Sequence, residues 1–167
     1  MIYYIGNDVY LLLYRQDTEV YSMDSLMFEE MCKNAKDILI YVKEKGAESD
    51  EIKKKKEFIK EAKSIALEIS ELANDQGLLE LKQIADKLAP DKAEGHLKEL
   101  LYLIIDGVDP DIIYDIARNM YFMNCYSGFG GLEFTIYMYT CLAVQQGEPT
   151  RIIESVIDSM IPDVLKN

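Results

Sequence analysis

The single imidazole of this chain, His96, lies between Gly95 and Leu97 where a helix is expected to begin. One imidazole cannot build a His-rich metal site, and neither a nucleophile nor a carboxylate is spaced to partner it, so a surface or capping histidine is the expectation. Cys32, Cys125 and Cys141 are odd in number and form no CxxC pair, which argues against a disulfide frame or zinc knuckle and suits a reducing compartment. Asp106, Asp109 and Asp111 imitate the opening of a calcium loop. Ile112 and Ile113 then stand where ligands should continue, and no glutamate closes the loop at position twelve. Glu29 and Glu30 are neighbours on a helix and point apart, so they do not form a glycosidase pair. Gly128, Gly130 and Gly131 in NCYSGFGGLEF read as a loop, but no strand precedes them and no Lys, Ser or Thr follows at phosphate-loop spacing. These patterns predict no catalytic residues, no cofactor-binding residues and no metal ligands, hence a protein that is not an enzyme.

The elements that would carry these residues read as helices. In LKELLYLIIDGVDPDIIYDIARNM, residues 97–120, Leu97, Leu100, Leu101, Ile104 and Ile105 gather on one helical face. Gly107 suits the left-handed residue that closes a helix. Asp109 can cap the next one, Pro110 fits its first turn, and Asp111 favours the positive end of its dipole. Ile112, Ile113, Ile116, Ala117 and Met120 resume the apolar pattern, so the window predicts an αα-hairpin packed on the last two helices.

Before it, Leu26, Met27, Met31, Ile38, Leu39 and Val42 mark a helix ending near Gly46. Ser49 can cap a long one whose stripe is Phe58, Ala62, Ile65, Ala66, Ile69, Leu72 and Ala73. Lys53 to Lys56 read as a solvated face of that helix, with Glu51 four residues before Lys55. A shorter helix is expected from Leu78 to Leu88, stopping before Pro90. The last helix is opened by Pro149 and ended by Pro162, with Ile152, Ile153, Val156, Ile157, Met160 and Ile161 in two columns. Residues 1–23, with Tyr3, Tyr4, Tyr10, Tyr14 and Tyr21, are compatible with a small hairpin or with a short helix after Asn7 and Asp8, and the helix is the expectation.

The chain of 167 residues, 49% hydrophobic and 29% charged, is long enough for one buried core. Its formal charge of −12 disfavours nucleic acid and anionic lipid as partners. The opening MIYYIGNDVYLLLYR has no basic leader and no small-residue cleavage site, and the least polar run, residues 132–144, is too short for the roughly 20 residues a membrane span needs. The expectation is a cytoplasmic, all-α, single-domain bundle of about seven helices over residues 1–167.

Three segments, GLLELKQIADKLA, LKELLYLIIDGVDPDIIYDIARNM and LAVQQGEPTRIIESVIDSMIP, resemble in order the cytoplasmic parts of MotA-type flagellar stator proteins, in the MotA/TolQ/ExbB proton-channel group. The resemblance covers residues 60–165 and is sharpest at Asp106 to Pro110 and Gly147 to Pro162. Residues 1–45 diverge, and YFMNCYSGFGGLEF stands where the family has two long membrane helices. The resemblance implies a non-enzymatic interaction body that conducts no ions and acts through a protein partner or self-association. It also implies a partner surface at Glu71, Asn74, Asp75 and Lys82. There the family places an arginine and a glutamate around a glycine, whereas this chain has Asn74 and Lys82 around Gly77. The competing reading is a small-molecule binding or sensing module, its pocket lined by Tyr121, Met123, Tyr126, Tyr137, Met138 and Cys141.

Overall fold

A computed structural model of the chain describes residues 2–4, 10–12, 25–90 and 92–166. Among these the fold is an all-α, single-domain bundle of seven helices: α1 (Ser25–Lys45), α2 (Asp50–Gln76), α3 (Lys82–Ala85), α4 (Lys92–Ile105), α5 (Pro110–Met123), α6 (Gly128–Gln145) and α7 (Thr150–Met160). Two three-residue strands, β1 (Ile2–Tyr4) and β2 (Tyr10–Leu12), pair antiparallel with Ile2 opposite Leu12. They correct the expected short helix after Asp8. The β-branched and aromatic residues there suit a pleated pair, and β2 packs on α7. Residues 5–9 and 13–24 lie outside the described residues.

The bundle is organised around α6. A helix apolar on every side is stable only when surrounded, and from Gly131 to Val144 all but Glu133 and Tyr139 are buried. α1, α2, α4, α5 and α7 all pack against it. This corrects the expected loop, because Gly128, Gly130 and Gly131 form the first turn of α6. The reason is close approach: a Cβ on Gly131 would stand 2.3 Å from Nδ2 of Asn34 on α1, so only glycine lets the two helices meet there. Of the last two helices, the 97–120 hairpin packs chiefly on α6. α7 lies against α2 and α6, where Ile153 and Ile157 are fully buried.

Three helix ends share one closure. At the α4 end Gly107 N–H donates to the Ile104 carbonyl (3.0 Å) and Val108 N–H to the Leu103 carbonyl (3.0 Å), with Gly107 at φ 72°. Asp109 then accepts from Asp111 N–H at 2.9 Å and Pro110 opens α5 as expected. Gly147 closes α6 in the same way. Cys125 closes α5 at φ 52°, left-handed without being glycine, so this cysteine sits in a turn. The expected 78–88 helix is instead a 3-10 turn, Leu78–Leu81, followed by the four residues of α3. Ser49 caps α2 as expected, accepting from Ile52 N–H at 3.3 Å. No helix among the described residues is long and apolar enough to cross a membrane.

Candidate functional site

The partner surface expected at Glu71, Asn74, Asp75 and Lys82 falls on the corner between α2 and α3. Gly77, at φ 94°, turns the chain; Leu81 is then wholly buried and Leu78 partly so, while Leu79 is left 72% exposed. Glu71, Asp75 and Lys82 are exposed on the same corner. Asn74 is exposed as well, but its side chain is engaged. Its amide donates within the corner to the Ser70 carbonyl (3.0 Å), and across it to the Glu148 carbonyl (3.2 Å) and the Thr150 hydroxyl (3.1 Å). Ser70 itself donates to Thr150 at 3.0 Å. Asn74 is thus a strut between α2 and the α6–α7 corner. Further along the same helices Lys63 bonds Asp158 (2.6 Å) and Glu154 (3.1 Å), a second tie between α2 and α7. Burial alone would lower the Lys63 pKa, but these two carboxylates outweigh it and raise it.

The six residues of the competing pocket do not stay together. Tyr121, Tyr126, Tyr137, Met138 and Cys141 are buried in the core, whereas Met123 is 82% exposed. The rings fill the space between α4, α5 and α6. Tyr126 stacks on Phe134 with centroids 4.5 Å apart, and His96 meets both edge-on. His96 is half-buried on α4, neither a cap nor a surface group, with Nδ1 2.9 Å from the Tyr126 hydroxyl. That hydroxyl donates to the Lys92 carbonyl at 2.9 Å, so the ring nitrogen supplies the proton between them. Burial pushes the Cys141 thiol up to about 12, which leaves it protonated and inert near neutral pH.

One polar residue that sequence reasoning overlooked sits beneath this cluster. Asn34, 3% exposed, accepts from Gly128 N–H at 2.9 Å through Oδ1 and donates through Nδ2 to the Tyr121 hydroxyl. It therefore caps α6 from another helix and ties α1 to α5 through one side chain. Its bond also occupies an amide that a phosphate-binding glycine turn would need open. The available signal was its place in the α1 stripe Met27, Met31, Asn34, Ile38 and Val42, where a polar residue among apolar ones needs a partner. A cavity of about 20 Å³ beside it, between Met31, Ile38, Leu132 and Met160, has room for roughly one water.

The basic run behaves as a helix face. Lys53 pairs with Asp50 (3.8 Å), and Lys55 lies over the rings of Phe58 and Phe129 instead of pairing with Glu51. Glu51 turns to Tyr41 and Lys45. The Tyr41 hydroxyl first and Lys45 second hold its carboxyl below the ordinary range. Among the described residues no group of three or more His, Cys, Asp or Glu is placed to hold a metal ion. None of the protein-family models, curated proteins or solved structures compared with this chain matches it.

Proposed function

We propose that the chain is a non-enzymatic interaction body on the cytoplasmic plan of MotA-type stator subunits, conducting no ions itself and working in the cytoplasm through protein contacts. The observation that carries this reading is the α2–α3 corner, where one leucine of three is turned outward. Leu79 stands 72% exposed just after the Gly77 turn, and Glu71, Asp75 and Lys82, on the elements either side of that turn, are exposed as well. Protein interfaces are commonly centred on such a group, with the rim setting orientation and excluding water. The closed corner at Gly107 and Pro110 and its counterpart at Gly147 and Pro149 hold the helices of the segments that resemble the family. Asn74 and Lys82 alter the charge the family presents, so the partner contact is expected to differ in electrostatics.

The test is affinity capture from a lysate of flagellated cells with the immobilised full chain, run beside Leu79→Asp and Leu79→Met. The expected result is a motility or membrane-complex component retained by the wild-type chain and by Leu79→Met and lost with Leu79→Asp. Recovery of no such component, or recovery indifferent to residue 79, would overturn the reading.

A further inference from the structure

We infer that the rings of Tyr41, Phe58 and Phe129 form a cation seat, which Lys55 fills from within and which a quaternary ammonium group takes in its place. Three helices bring the rings together. Tyr41 lies near the end of α1, Phe58 on α2 and Phe129 in the first turn of α6, which Asn34 fixes by accepting from Gly128 N–H at 2.9 Å. Tyr41 and Phe129 meet edge-on, with centroids 5.7 Å apart and planes at 75°, so they stand as two adjoining walls. The Lys55 ammonium lies 5.3 Å from the Phe129 centroid and 5.7 Å from that of Phe58, which makes Phe58 the third wall. All three rings are half-buried, packed on the core with part of each open to solvent.

The chemistry of the seat selects its occupant. A ring face is negative and attracts a cation within about 6 Å of its centroid. Glu51 stands four residues before Lys55, the favourable order for a helical ion pair, yet Lys55 takes the rings while Glu51 bonds the Tyr41 hydroxyl and Lys45 (3.2 Å). Lys45 itself lies 5.7 Å from the Tyr41 centroid, so both cations of the cluster are held over aromatic faces. A lysine ammonium is a poor occupant, because its three N–H groups are strongly hydrated and a ring satisfies them only weakly. Among the described residues Lys55 has no carboxylate partner to compensate. A quaternary ammonium has no N–H to desolvate and covers more of each ring, and the formal charge of −12 favours a cationic ligand over an anionic one. Lys55 is therefore a tethered competitor, and the ligand enters as its flexible stem swings out. The seat lies toward the opposite end of α2 from the Leu79 corner, so neither test decides the other.

Proton NMR of the full chain titrated with choline, at constant total salt, tests the inference. The trimethylammonium protons should move upfield and the Phe58 and Phe129 ring resonances should shift saturably in the millimolar range. The uncharged tert-butyl isostere of choline should bind more weakly. Lys55→Ala should tighten choline binding about two- to fivefold, the worth of an exposed cation–π contact, whereas Lys54→Ala, which removes the same charge one residue away, should not. Phe58→Leu and Phe129→Leu, each checked by its far-UV spectrum, should weaken binding by at least about twofold. No saturable shift, an equal response to the uncharged isostere, equal effects of the two lysine substitutions, or indifference to both ring substitutions overturns the inference. If Phe129→Leu unfolds the chain, Phe58→Leu and the lysine pair still decide it. A peptide carrying Nε-trimethyllysine, run beside choline, distinguishes the sources of the group. Tighter binding of the peptide assigns it to a partner's side chain, and tighter binding of choline to a free small molecule.

Discussion

Replacing Gly131 with alanine adds one methyl group at the tightest point between α1 and α6. Its Cβ would lie 2.3 Å from Nδ2, 2.9 Å from Cγ and 3.0 Å from Oδ1 of Asn34. Asn34 cannot swing away without giving up its bonds to Gly128 N–H and to Tyr121 in a buried site. Forcing in a methylene costs about 1–3 kcal/mol, and stranding buried polar partners costs about 1–3 kcal/mol more. The better helix propensity of alanine returns roughly 0.5–1 kcal/mol, so the net loss should be about 3 kcal/mol. For a chain of this size that corresponds to a fall in Tm of roughly 6–12 °C. The chain has no tryptophan, so urea unfolding is best followed by far-UV circular dichroism. Asn34→Ala should cost about 2 kcal/mol alone, through the polar groups it strands. It should cost little further in the Gly131→Ala background, because the new methyl then occupies vacated space, a coupling of about 2 kcal/mol. Gly131→Ala within about 0.5 kcal/mol of wild type, or strict additivity, would refute the contact as the reason for glycine there.

Cys125→Gly should raise stability by about 0.5 kcal/mol in the same assay, since relief of roughly 1–2 kcal/mol of left-handed strain exceeds the added freedom of the unfolded chain. Thiol labelling at pH 8 should modify Cys125 first, Cys32, whose thiol is raised by burial, more slowly, and Cys141 only on unfolding. Cys141 also shapes alkaline stability. Its folded pKa is raised from 9.0 to about 12, so the unfolded chain loses this proton first. The contribution is complete below pH 9 and is lost as pH rises from 9 toward 12. The urea midpoint should fall over that window, less steeply in Cys141→Ala. Asn74→Ala should cost about 1–2 kcal/mol because it removes the α2 to α7 strut, whereas Glu71→Gln and Asp75→Asn should stay within about 0.5 kcal/mol. Equal effects at the three positions would count against the distinction between strut and surface.

The all-α class, the caps at Ser49 and Asp109 and the turn at Gly107 were legible because each follows from local chemistry. A hydroxyl or carboxylate accepts from a helix start, and a residue without Cβ closes a helix end. Glycines 128, 130 and 131 misled because the same residue serves both turns and close helix contacts, and only Asn34, 97 residues before Gly131, distinguishes the two. The 78–88 segment kept its apolar pattern but broke into a 3-10 turn and a short helix, since periodicity marks a buried face and not the hydrogen bonds behind it. Of the candidate site residues, exposure of Glu71, Asp75 and Lys82 agreed with their charge. Asn74 was claimed by partners more than 70 residues away.

By itself, then, the order of amino acids determined the caps at Ser49 and Asp109, the stop at Gly107 and which face of most helices is apolar, because those properties depend on neighbours within about one turn. Tertiary structure alone decided that α6 lies at the centre, that five of the six Tyr/Met/Cys residues are core, and that Leu79, Ile112 and Met123 remain outside. The physical reason is that a leucine or methionine is equally apolar in either place. Whether it is covered depends on which distant helix arrives to cover it.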